Sequence, residues 1–266
     1  MLRARASDTS LIYFPIPQDS NMSVFKSQNL FVNSVMLPGS FARSTYNVDT
    51  FNESNLSTLI YVPFKSSCVG SMSYAAGAPS SIPCLLVMRP NYQASKFCIH
   101  FHGNACDAKQ IHGCAQIESH ALDAHYLVVE YPRFGISDGY PNEAVMNDIA
   151  KAVYFYVTEH LHVNHSRIVL IGRSIGSGPV CTLASDLELL KTPVGAVILQ
   201  SPYTSIRDAA ADILGCASFF ILNRWVNWVY LVGSGPEVIK SPVLFIHADN
   251  DKIINFHHSK LLHEHR

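Results

Sequence analysis

Residues 168–178 read Ile-Val-Leu-Ile-Gly-Arg-Ser-Ile-Gly-Ser-Gly, and this stretch narrows the choice of fold more than any other. Four apolar, mostly β-branched residues suit a strand buried inside a sheet, and residues 179–190 carry the apolar spacing of a helix. Only the seven residues 172–178, opened by Gly172-Arg-Ser-Ile-Gly176, lie between them. A strand-to-helix turn this short strains its central residue, Ser174, and leaves little room for side chains two positions before and after it. Glycine stands at both positions. The Ser174 hydroxyl is then held above the sheet, and the N–H of Ile175 faces the place where an oxyanion would form. Gly176-Ser177-Gly178 could instead belong to a phosphate loop. However, no Gly-Lys-Ser/Thr follows, and the first glycine lacks dinucleotide spacing. The pattern points to a serine nucleophile on an α/β sheet.

The rest of the chain supplies that sheet. Residues 57–64, 84–88, 97–101, 126–131, 193–200 and 241–248 read as strands, and helical spacing runs through 108–121, 142–161 and 206–222. Such alternation predicts a mostly parallel central sheet with helices on both faces. Residues 65–82 form a loop or hairpin connection. Residues 1–54 read as an irregular arm with apolar patches at 11–15 and 30–37 that offer a first strand, and 55–266 as the α/β domain. Within it, 206–235 breaks the alternation and gathers Phe219, Phe220, Trp225, Trp228, Tyr230 and Leu231 into a short apolar lid-like segment. That segment is either a hydrophobic helix packed on the sheet or a wall for an acyl chain. The second use would draw on ~0.8 kcal/mol per buried methylene.

Composition excludes several classes. Apolar residues make up 48% of the 266 and charged ones 15%, which suits a packed domain rather than a disordered chain. A net charge of −1 gives no basic face for nucleic acid. The seven cysteines are scattered without a Cys-x-x-Cys pair, as buried free thiols would be. The N-terminus lacks a signal-peptide core, and no apolar run of ~18 residues follows. A cytoplasmic protein is expected, with peripheral membrane contact left open.

Two further loops carry candidate site residues. His102-Gly103-Asn104-Ala105 follows a central strand and can aim a second backbone N–H at the oxyanion, from Asn104 or, next to it, Ala105. The alternative is an ordinary strand-to-helix turn whose histidine packs. Asp249 and Asp251 follow the strand at 241–248, where a carboxylate can orient a catalytic histidine. A loop aspartate capping the helix that starts near Phe256 is the alternative, and spacing does not choose between the two aspartates.

From about residue 97 to 262 the chain resembles the α/β-hydrolase superfamily, in the eukaryotic branch of α/β-hydrolase-domain serine hydrolases that includes protein depalmitoylases. The resemblance rests on His102-Gly-Asn-Ala, Tyr131-x-x-Phe-Gly-x-Ser-x-Gly-x-Pro141, Gly172-Arg-Ser-Ile-Gly-Ser-Gly-Pro, Gln200-Ser-Pro-Tyr-Thr-Ser-Ile-Arg-Asp and Pro242-Val-Leu-Phe-Ile-His-Ala-Asp-Asn-Asp-Lys. It implies a Ser-Asp-His triad that cleaves acyl esters or thioesters of a small molecule, a lipid or an acyl-protein, with no metal or other cofactor. The family's His-Gly-x-x-Asp pattern makes Asp251 the acid.

Departures at Pro132-Arg133 and at Ala248, where the family has glycine, are peripheral. The serious one is C-terminal. In the family, the base histidine lies after one more strand, whereas this chain ends fifteen residues beyond Asp251. The resemblance therefore implies a truncated chain that lacks the last strand and the base, with an open sheet edge. His258 matches a non-catalytic helix histidine of the family. His257, His258, His263 and His265 fall on or beyond the helix after Asp251, with no carboxylate at ligand spacing, so an exposed helix face is expected. Two other readings stand beside the hydrolase: an inactive hydrolase-fold binding protein, and a peptidase of the same fold.

Overall fold

The computed structural model describes residues 10–13, 56–64, 79–104, 106–215, 226–233, 235 and 238–266. Its eight strands are β1 (Ser10–Tyr13), β2 (Ser57–Pro63), β3 (Ser81–Val87), β4 (Lys96–Phe101), β5 (Ala124–Val129), β6 (Ile168–Arg173), β7 (Ala196–Gln200) and β8 (Val243–His247). They form one sheet in the order β1-β8-β7-β6-β4-β5-β3-β2. The pairings β2/β3 and β3/β5 are antiparallel, and all the others are parallel.

The central strands are apolar on both faces, as a sheet covered on both sides requires. Successive β4 side chains point to opposite faces. Phe97, Ile99 and Phe101 join one buried cluster with Leu170, Val153 and Val180, while Cys98 joins a second with Tyr126, Val128 and Ala115. Helices α1 (Ala108–Leu122), α2 (Glu143–Phe155), α3 (Ser177–Leu189) and α4 (Ile206–Leu214) follow β4, β5, β6 and β7, and a short α5 (Trp228–Val232) and α6 (His257–Glu264) complete the set. Asp107, Asn142 and Ser205 cap α1, α2 and α4 by accepting from the amides of Gln110, Val145 and Asp208. Each cap satisfies an amide that has no partner within its helix.

Two differences from the sequence-based expectation bear on the site. The edge of β8 is not open, because β1 lies parallel beside it with Ser10 opposite Leu244 and Tyr13 opposite His247. A four-residue apolar strand can supply the missing ladder from any point in the chain, and the patch near residue 11 does so here. The patch at 30–37 lies outside the described residues. The second difference concerns the lid-like segment, where α4 stops at Gly215, whose φ of +57° suits a helix end. Phe219, Phe220 and Trp225 lie outside the described residues, whereas Leu231 on α5 is buried in the core. Among the described residues no helix is long and apolar enough to cross a membrane.

Candidate active site

Ser174 follows β6 directly and has φ +51°, on a single 3-10 turn that leads into α3. A non-glycine residue in that region costs of order 1–3 kcal/mol and persists only where its surroundings fix it. Here they do. A Cβ on Gly172 would lie 2.7 Å from the Gly176 carbonyl oxygen, and one on Gly176 would lie 2.1 Å from the Phe101 carbonyl oxygen. Both clashes are with backbone, which cannot swing aside. Ser177 Oγ donates to the Ser174 carbonyl (2.7 Å) and accepts from the buried Asn227 side chain (2.8 Å), which ties α5 to the turn. Ser174 itself is half-buried, and Ile175 is buried.

Gly176 abuts Phe101 and His102, so the loop after β4 is in contact with the turn that carries Ser174. That loop is pinned from beneath. The buried His102 ring places Nδ1 2.9 Å from the Gly103 carbonyl oxygen and Nε2 3.1 Å from Glu130 Oε1. It stacks on Tyr131 at 4.1 Å, and the Tyr131 hydroxyl donates to the His102 carbonyl (2.5 Å). Burial pushes that hydroxyl well above the ordinary tyrosine range. Glu130 Oε2 accepts from the Ala108 amide (3.0 Å) at the start of α1. Both nitrogens of His102 are thereby committed, and neither is a base for Ser174. Among the described residues the buried Asn104 Oδ1 has no hydrogen-bond partner, and Ala105 lies outside them. Sequence reasoning passed over Glu130, which sits at the end of an apolar strand. A charged residue closing such a run is the signal that could have found it.

The loop after β8 carries both aspartates, and Asp249 is exposed at its start. Asp251 Oδ1 accepts from the amides of Ile253 (2.8 Å) and Ile254 (3.0 Å), so it closes its own turn rather than capping α6. Its Oδ2 accepts from Ser201 Oγ (3.0 Å), and Ser201 sits just after β7 with φ +46°. His247 Nε2 lies 3.6 Å from that oxygen but donates to the Ile254 carbonyl (2.9 Å), while Nδ1 meets Ser259 Oγ (2.6 Å). Burial holds the His247 pKa below the ordinary imidazole value. Among the described residues no hydrogen bond joins a histidine to Ser174 Oγ.

The α6 histidines turn elsewhere, and the expectation of an exposed helix face fails at His258, which is fully buried. His258 Nδ1 lies 2.9 Å from Thr204 Oγ1 and its Nε2 lies 3.2 Å from Asp212 Oδ2. His257 lies 3.6 Å from the same oxygen. The carboxylate that spacing along α6 could not supply comes from α4. His263 meets Phe245 edge-on, and His265 donates to the Leu261 carbonyl (3.0 Å).

The arrangement is a serine at positive φ on a turn packed against the loop after β4, with the Asp251 carboxylate two strands away. No protein-family model matches the chain. It is 26% identical over 157 residues to protein bem46 of Schizosaccharomyces pombe, covering 59% of this chain and 51% of that protein. It is 29% identical over 177 residues to alpha/beta hydrolase domain-containing protein 17C of Xenopus tropicalis (64% and 51%). Against the lysophosphatidylserine lipase ABHD12 of Danio rerio it is 27% identical over 181 residues (62% and 46%). The chain spans about half the length of these relatives. Among solved structures it superposes on an alpha-beta hydrolase from Vibrio vulnificus with a TM-score of 0.66 at 18% identity, covering 86% of this chain and 78% of that one. The Pyrococcus furiosus esterase Pf2001 gives 0.58 at 15% identity (84% and 80%). The chain has the α/β-hydrolase fold, and the proteins it resembles in sequence include eukaryotic α/β-hydrolase-domain proteins.

Proposed function

We propose that the chain is the core of a serine hydrolase that cleaves acyl esters or thioesters. The observation that carries this reading is the positive φ of Ser174 on a turn whose flanking glycines admit no side chain. Ser174 Oγ attacks the acyl carbonyl, and the N–H groups of Ile175 and Asn104 receive the oxyanion. Asp251 orients the histidine that takes the serine proton and passes it to the leaving alcohol or thiol. Water then hydrolyses the acyl-enzyme by the same route. His102 and His247 spend both ring nitrogens on their own neighbours, so the reading assigns the base to neither.

The reaction needs no metal or other cofactor. One relative is named a lysophosphatidylserine lipase, which favours a lipid acyl ester, with an acylated protein or small molecule in the same substrate class. Such substrates would bring a cytoplasmic protein to a membrane surface. A second reading, a hydrolase-fold protein that binds acyl groups without turnover, draws on Asp251 being bonded to Ser201 rather than to a histidine. A peptidase of the same fold would share the Ser174 turn.

Hydrolysis of acyl esters and acyl thioesters of graded chain length, by the chain and by Ser174→Ala, tests this. The expected result is turnover that falls to background in the variant; loss of the nucleophile from a complete triad costs on the order of 10⁶-fold. Acyl binding without turnover in the folded protein would favour the second reading. Cleavage of peptides but not of esters would favour the third.

A further inference from the structure

Away from Ser174, three side chains that face one another have no part in the proposed reaction. His257 and His258 open α6, and Asp212 lies near the end of α4, forty-five positions earlier in the chain. Asp212 Oδ2 is 3.2 Å from His258 Nε2 and 3.6 Å from His257 Nδ1, and one ligand atom from each residue lies within 4.8 Å of the other two. The imidazole rings are stacked with centroids 4.2 Å apart. Asn255 Oδ1 accepts from the His257 amide (3.0 Å), which fixes the first turn of α6 and the placement of both rings.

The neighbours of His258 decide what its Nε2 can do. Thr204 Oγ1 donates to Asp208 Oδ2 (3.0 Å) and lies 2.9 Å from His258 Nδ1. The Thr204 amide also donates to His258 Nδ1, at 3.3 Å. His258 Nε2 is buried, makes no hydrogen bond among the described residues, and faces a carboxylate oxygen 3.2 Å away. A proton or a metal ion between the two atoms would satisfy both.

We propose that Asp212, His257 and His258 form a site for a zinc-type divalent cation. Two imidazoles and one carboxylate are ligands of the kind that zinc takes. Ligands ~2.0–2.1 Å from a tetrahedral metal stand about 3.4 Å apart, close to the two distances measured to Asp212 Oδ2. Thr204 is the outer-shell partner that sets the ring orientation, as hydroxyl, carbonyl or carboxylate groups do for ligating histidines. Asp212 and His257 are partly exposed, which leaves an entry path and a fourth position for water. Magnesium and calcium take oxygen ligands and do not fit this set. The bound cation would clamp α4 to α6, and α4 leads into the stretch that carries Phe219, Phe220 and Trp225. The alternative is a simple proton shared between His258 and Asp212.

Equilibrium dialysis of the chain, stripped of metal with chelator and then exposed to ZnCl2, separates the two. Asp212→Asn, His257→Ala and a control at the exposed His160 (His160→Ala) accompany the native chain. The two ligand variants alter partly exposed side chains and so keep the fold, which circular dichroism checks; if Asp212→Asn fails to fold, His257→Ala carries the test. The expected result is one zinc per chain, ~10-fold or more weaker in both ligand variants and unchanged in the control. Zinc should raise the melting temperature of the native chain and of His160→Ala only, and MgCl2 should raise none. Absence of zinc binding by the native chain, or equal binding by the folded ligand variants, would overturn the proposal.

Discussion

The loops after β4 and β6 and the loops after β7 and β8 rise from the same end of a parallel sheet, yet they are held in different ways. On the nucleophile side, backbone meets backbone: Gly176 lies against Phe101, and the fully buried His102, Glu130 and Tyr131 brace the loop from beneath. On the acid side, Asp251 is partly exposed and is held by a serine hydroxyl and two amides of its own turn. In the proposed reaction, Ser174 and its oxyanion donors would be preorganised without help from Asp251 or a base, which is where most electrostatic catalysis resides. Asp251 would have to exchange its bond to Ser201 for one to the base histidine in that reaction.

The contrast can be broken most forcefully beneath the nucleophile side. Glu130→Ala leaves His102 without its carboxylate and the first turn of α1 without an acceptor. Breaking a buried pair of this kind costs about 3–5 kcal/mol, measurable by denaturant unfolding. Gly176→Ala should cost about 3 kcal/mol, the upper part of the range for overpacking, because the neighbour is a carbonyl oxygen of β4. A wild-type midpoint in either variant would mean that the nucleophile side is not braced as described.

Acid acts on both sides. An imidazole in the unfolded chain titrates near 6.5, whereas burial holds His100 on β4 down at about 3 and His247 on β8 below its ordinary value. Between those limits unfolding takes up protons. Stability should be full above about pH 7 and fall as the pH drops towards 3. The slope is about 1.4 kcal/mol per pH unit for each histidine that is neutral only in the fold. Unfolding free energies at pH 7 and pH 5 check this, and greater stability at pH 5 would contradict it.

The acid side should respond more gently. Ser201→Ala removes one hydrogen bond to a carboxylate and should cost about 1.5 kcal/mol, with labelling of Ser174 unaffected. Smallest of all, and opposite in sign, Gly113→Ala in the exposed middle of α1 meets nothing within 4 Å and should stabilise by about 0.5–1 kcal/mol.

Features written in adjacent residues were legible before the structure. The strand, glycine-flanked serine and helix at 168–189 could be read directly, because so short a turn leaves the backbone few options. The alternating strands and helices followed from hydrophobic period. What escaped was pairing across long stretches of chain. Nothing near Ser10 names Leu244 as its neighbour, since a four-residue apolar strand fits many edges. Glu130 reads as the end of a strand until His102 and the Ala108 amide converge on it. His258 looked exposed because a helix-spacing argument does not see α4, which brings Asp212 to it. The acid was chosen at Asp251 through resemblance, and its bond to Ser201 depends on the register of β7 against β8.

The most direct test of the account is covalent labelling with a fluorophosphonate, followed by peptide mapping, on the chain and on Ser174→Ala with folding checked by circular dichroism. The account predicts an adduct on Ser174 that disappears in the variant. A folded chain that takes up no label, or a variant that labels as well as the native chain, would contradict the assignment of Ser174 as an activated nucleophile.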